Sequence, residues 1–214
     1  MLGIHREEKM QTLHKWAVRG MAAYADYGSA IFVVGVMAAL AAKYLVWWEV
    51  FLSGFLQLIP DSDMVLPLLR DDYKEMTQHH STLMHRPLLI LPLSGIVAYM
   101  IGGAFWAVAT LICVSLHYFH DKSPIGDSDL YLLWPLPRRW TGYEDSPQYE
   151  GHQWLKDRWI RPSRFALTEL TVGSIGLLIG LSVTLGWEVA VGFVMLCWVG
   201  FILVWNTPEQ YTRW

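Results

Sequence analysis

Pro60-Asp61-Ser62-Asp63, followed after a polar interval by His79-His80-Ser81-Thr82-Leu83-Met84-His85-Arg86-Pro87, separates two apolar blocks at residues 27–59 and 87–119. A second polar cluster, His117-Tyr118-Phe119-His120-Asp121, closes the second of these blocks. Whether the two clusters share one end of the molecule depends on how many times each block crosses a membrane. A single crossing helix takes about 20 residues. Each block is too long for one upright span and short for two full ones. A third block, residues 165–205, is interrupted at Gly186-Trp187-Glu188.

Of the 16 Lys and Arg residues, four lie in 1–26, three in 60–86, seven in 120–164 and one at Arg213, which leaves only Lys43 elsewhere. If every block is a helical hairpin, all the charged segments fall on one side of the membrane, the cytoplasmic side by the positive-inside rule. The tips then lie at Ala42-Lys43-Tyr44, Gly102-Gly103 and Gly186-Trp187, with Trp47, Trp48, Trp106 and Trp187 near the far interface. The competing reading, three single tilted helices, separates residues 60–86 from 120–164 across the bilayer. The hairpin reading predicts an all-α polytopic membrane protein of about six transmembrane or partly inserted helices in three hairpins. Both termini and the polar loops are expected on the cytoplasmic side of a bacterial or archaeal inner membrane.

The composition agrees. The chain has 214 residues, is 54% hydrophobic and carries 12 Trp, more apolar than an ordinary soluble domain. A net charge of -3 gives no reason to expect a nucleic-acid partner. Cys113 and Cys197 lie within apolar blocks and read as small core residues. Residues 1–26 read as an amphipathic lead-in, with Met10, Leu13, Trp16, Ala17 and Met21 near helical spacing, rather than as a cleavable signal peptide. Residues 27–205 form the membrane domain, and 206–214 a tail. Its polar loop region, 120–164, is rich in proline and glycine and is anchored by Trp134, Trp140, Trp154 and Trp159.

The polar clusters carry carboxylates and imidazoles, ligands for a divalent metal such as Zn²⁺. His117 and Asp121, four apart, share one helix face. His120 is placed to join them or to support them. Asp61 and Asp63 follow Pro60, where a helix should stop, so one can bind metal while the other bridges or orients. On a helix His80 and His85 would point about 140° apart. They converge better if His80 is in a loop and His85 just precedes a helix starting at Pro87. The expected metal ligands are therefore Asp61, Asp63, His80, His85, His117 and Asp121. Glu169 is an ionisable residue inside the third apolar block, a site candidate as ligand or base. Asp127 and Asp129 read as a solvated turn.

Order and spacing over roughly residues 27–135 resemble the YdjM-like membrane-bound metal-dependent hydrolases, distant relatives of zinc-dependent phospholipase C. The family's Pro-Asp-Leu-Asp is similar to Pro60-Asp61-Ser62-Asp63, and its paired histidines to His80 and His85. Its His-x3-Asp, Thr-Pro-x-Gly turn and Leu-Leu-Trp-Pro are similar to His117 to Asp121, Ser123-Pro124-Ile125-Gly126 and Leu132-Leu133-Trp134-Pro135. The resemblance implies a metal-dependent hydrolase acting on a phosphoester-type bond at the membrane surface, with membrane lipids as neighbours or substrate. Glu169, or a carboxylate such as Asp63 that is not fully committed to the metal, would be the general base. The chain departs from the family at Asp26-Tyr27-Gly28-Ser29, where a Thr-His is usual, and at Ser81, Met84 and Arg86. These departures support a second expectation: a catalytically silent relative serving as an accessory subunit among protein partners in a membrane assembly.

Overall fold

A computed structural model of the chain describes residues 2–65, 82–122 and 159–212. The described residues are helical and contain no strand, with six α-helices: α1 (Leu2–Leu40), α2 (Trp47–Ser53), α3 (Pro87–Gly102), α4 (Ala104–Lys122), α5 (Arg164–Leu185) and α6 (Trp187–Trp205). Three are long and apolar enough to cross a membrane: the Glu8–Leu40 part of α1, α5 and α6. The chain is an all-α membrane protein. The apolar runs of α3 and α4 have 10–17 residues, at most about 25 Å of helix against a hydrocarbon core of about 30 Å. The chain divides into two compact units, Met1–Gly54 with Leu155–Trp214, and Phe55–Trp154.

In the first unit the residues of the expected lead-in are the first half of α1, which runs unbroken past Asp26. Polarity changes near residue 26, but nothing there breaks a helix; single glycines at 20 and 28 cost helix stability without ending it. The buried positions His14, Val18, Met21 and Ala25 recur every three or four residues, the spacing of one helix face. That face packs on α5 with almost no side chain between the backbones. A Cβ on Gly28 would lie 2.1 Å from the Gly173 carbonyl oxygen, and one on Gly176 only 1.8 Å from that of Gly28. Ala25 meets Gly173, Gly28 meets Gly176 and Ile31 meets Gly180, so α1 and α5 run parallel.

α1 ends in a tight cap. Lys43 N donates to Ala38 O (2.8 Å) and Ala42 N to Ala39 O (3.2 Å), and Ala42 adopts φ 49°, a left-handed position that glycine usually fills. Lys43 Nζ then pairs with Glu49 Oε1 at 3.1 Å, while Val46 N donates to Glu49 Oε2 at 3.0 Å, which starts α2. Tyr27 OH donates to Phe51 O at 2.7 Å, so the chain folds back along α1. At seven residues, α2 is too short to span. The first hairpin is one long helix with a short returning turn.

α5 is capped by Ser163, whose hydroxyl accepts from Ala166 N at 3.0 Å, a standard N-terminal cap. The α5–α6 and α3–α4 tips fall at Gly186 (φ 91°) and Gly103 (φ 79°), positions where a side chain is strained. Both are where the sequence reading puts them. One polar group ties α1, α5 and α6 together. Trp198 Nε1 donates to Ser174 Oγ at 2.9 Å, and the Tyr24 and Ser174 hydroxyls share a hydrogen bond of 3.0 Å. Ser174→Ala should therefore cost about 1 kcal/mol, the scale of a hydrogen bond between membrane helices. A lower thermal midpoint in detergent, unmatched by Ser182→Ala, is the expected reading.

Candidate metal centre

In the second unit α3 and α4 form a hairpin. His85 lies just before α3, and His117 and Asp121 lie in the last turns of α4. His85 and the His117–Asp121 pair therefore sit at the open end of one hairpin, opposite Gly103. This is the arrangement the three-tilted-helix reading forbids. The floor beneath them is apolar: Ile90, Val114 and Tyr118, with Ile59, Met84 and Leu91 packed against them.

Pro60 opens a 3₁₀ turn, Pro60–Met64, carrying both Asp61 and Asp63. At three residues per turn, positions two apart point in different directions, and the two carboxylates meet opposite sides of one ring. Asp61 Oδ1 lies 3.5 Å from His85 Nε2, whereas Asp63 Oδ2 lies 3.3 Å from His85 Nδ1. A second 3₁₀ turn, Leu83–His85, is pinned by Tyr118 OH donating to Met84 O at 2.6 Å. Thr82, just before it, donates from Oγ1 to Asp63 Oδ2.

His117 Nε2 faces the same point as His85 Nε2, with Asp61 Oδ1 at 3.5 Å and Asp121 Oδ2 at 3.1 Å. Asp121 Oδ2 is also 3.6 Å from His85 Nε2. One donor atom each from Asp61, His85 and His117 lie within 4.8 Å of one another. Asp121 joins this group through the two imidazoles. Side-chain exposure is 0% for His85, 2% for His117 and 5% for Asp121, against 30% for Asp61, so access is from the Asp61 side.

The donor set fits a divalent ion. Bonds of 2.0–2.1 Å in a tetrahedron put neighbouring donors about 3.3 Å apart, and Asp61 Oδ1 stands 3.5 Å from each of the two Nε2 atoms. Two imidazoles and a carboxylate suit zinc among the abundant divalent metals. Burial draws the His85 imidazolium down, but the carboxylates of Asp61, Asp63 and Asp121 outweigh it and raise its pKa to about 9. Without a cation, the site recruits a proton in its place.

Of the expected ligands, Asp61, His85, His117 and Asp121 surround one point, and Asp63 stands behind His85. His80, with His79, Asp127, Asp129 and the motifs at 123–135, lies outside the described residues, as does the His120 side chain. Glu169 is on α5 in the other unit, half-buried. Sequence reasoning missed Thr82 and Tyr118. The only signal for Thr82 is a hydroxyl three residues before a histidine. No family model, no curated protein and no solved structure matches the chain.

Proposed function

We propose that this membrane protein is a metal-dependent hydrolase. On this reading it holds a divalent cation, zinc by the nature of its donors, on Asp61, His85 and His117 and cleaves a phosphoester-type bond at the membrane surface. The observation that carries the reading is the convergence of those three donors within 4.8 Å at the end of an apolar hairpin. A site with three protein ligands keeps a position for water or substrate, the pattern of catalytic rather than structural zinc. Held by these three side chains, such an ion would supply Lewis-acid chemistry, lowering the pKa of a water and stabilising charge on a phosphoryl oxygen.

The side chains around it divide the remaining work. Asp121, buried with Oδ2 beside both imidazoles, is placed to accept the proton of an attacking water. Asp63 faces the Nδ1 side of His85 and accepts from Thr82, away from the side that would hold the ion, so of these two aspartates Asp121 rather than Asp63 is placed for the base role. The half-exposed Asp61 side is the route for substrate. The charge pattern of the sequence supports a cytoplasmic membrane, with the polar segments and both termini on the cytoplasmic side.

Protein purified in detergent should hold about one divalent ion per chain by elemental analysis, as a single structural or catalytic site does. It should also hydrolyse a phosphodiester such as bis-p-nitrophenyl phosphate. His117→Ala should lose both properties, and Asp121→Asn should keep metal and lose turnover. Metal near zero after loading would sink the reading. Stoichiometric metal without hydrolysis of soluble or lipid phosphoesters would favour the silent accessory subunit.

A further inference from the structure

We infer that Asp63 and Thr82 are positioning residues for the proposed metal site, a hydroxyl–carboxylate–imidazole chain that aims His85 Nε2 at the cation. The inference rests on the metal reading and adds the device that sets its affinity.

The geometry begins in the Pro60–Met64 turn. Asp61 and Asp63 share it, yet only Asp61 reaches the Nε2 side of His85. Asp63 Oδ2 faces Nδ1 at 3.3 Å. A neutral imidazole carries one N–H. A carboxylate opposite Nδ1 keeps the proton there and leaves the Nε2 lone pair for a metal. The same carboxylate makes the imidazole a stronger donor. The oxygen that faces Nδ1 also accepts from Thr82 Oγ1, so the carboxylate cannot rotate away without losing both partners. Asp63 is only 12% exposed, which limits competition from water.

The chain also ties the two 3₁₀ turns together across 19 residues of sequence, and Tyr118 holds the second turn to α4 through Met84 O. His85 is thereby fixed from both sides: its backbone by Tyr118, its ring by Asp63. A bound ion needs the donors within a fraction of an ångström of their final positions, and a ring free to turn loses affinity.

The test is a Zn²⁺ competition titration with a chromophoric chelator, together with the visible absorption spectrum of the Co²⁺-loaded protein. Wild type, Thr82→Ser, Thr82→Val, Asp63→Asn and His117→Ala are compared in detergent. Wild type and Thr82→Ser should agree in affinity and spectrum. Thr82→Val, nearly isosteric, should bind about 10-fold more weakly and Asp63→Asn up to about 100-fold, the range for lost outer partners of a ligating histidine. Both should still bind one ion when it is in excess, with an altered Co²⁺ spectrum, because the ligands remain. A merely structural role would lower thermal stability and leave the spectrum of the folded fraction unchanged. Thr82→Val and Asp63→Asn matching wild type in affinity and spectrum would overturn the inference and leave the metal site standing. Asp63→Asn losing all binding while Thr82→Val loses none would make Asp63 itself a ligand, which also overturns it. Wild type that binds no metal removes the reading on which both rest.

Discussion

Gly176→Ala should destabilise the first unit more than any other single added methyl, by about 3 kcal/mol, the upper part of the overpacking range. The new Cβ would stand 1.8 Å from the carbonyl oxygen of Gly28. That neighbour is backbone and has no rotamer into which it can retreat. α1 and α5 would have to separate by more than an ångström, and the gap would open beneath Ser174, whose hydroxyl meets Tyr24 and Trp198. Gly28→Ala, at 2.1 Å from Gly173 O, should do nearly as much. Gly192 on α6 and Gly20 on α1 have no atom within 4 Å of the same built position. There alanine should be neutral or mildly stabilising, since glycine costs a helix about 1 kcal/mol relative to alanine. Thermal unfolding of the four variants in one detergent decides the matter. A Gly176→Ala midpoint equal to that of Gly192→Ala would mean that α1 and α5 do not touch in this way.

That contact shows what the sequence carries and what it hides. Composition and the spacing of charged segments suffice for an all-α membrane protein. Gly103 and Gly186 mark their hairpin tips because a positive φ is cheap only for glycine. The first tip is different: Ala42 holds the left-handed position, so no glycine signals it, and α2 is tied back to α1 by a tertiary contact, Tyr27 OH to Phe51 O, that no local pattern announces. The continuity of α1 was hidden because polarity reports a change of surroundings, not a change of backbone. At the site, His117 and Asp121 are legible because an i, i+4 pair on a helix has one geometry. The unlike roles of Asp61 and Asp63 are not. They follow from a 3₁₀ turn, which no periodicity announces, and from the hydroxyl of Thr82, a residue type with many ordinary uses.

Affinity for Zn²⁺ should climb steeply with pH, while the stability of the metal-free protein moves the other way. The cause of both is His85, whose pKa in the folded, metal-free protein is raised from 6.5 to about 9. A group raised by folding stabilises the fold fully below its unfolded pKa, and that stabilisation is lost as pH rises through the folded value. Metal-free protein should therefore be most stable below about pH 6.5 with respect to this group and lose about 3 kcal/mol by pH 9, from about 1.4 kcal/mol per pKa unit. Metal binding requires the neutral ring, so below pH 9 each ion displaces one proton from His85. The apparent binding constant should gain about one decade per pH unit well below pH 9 and level off near it, or about 50-fold from pH 7 to pH 9. Proton release in an unbuffered titration at pH 7.5 should approach one per ion. Asp63→Asn removes one of the three carboxylates that hold the proton, so its slope should flatten at lower pH even as its affinity falls at pH 9. A pH-independent affinity with no proton released would separate the cation from His85, and with it from the pocket where Asp61 and His117 converge.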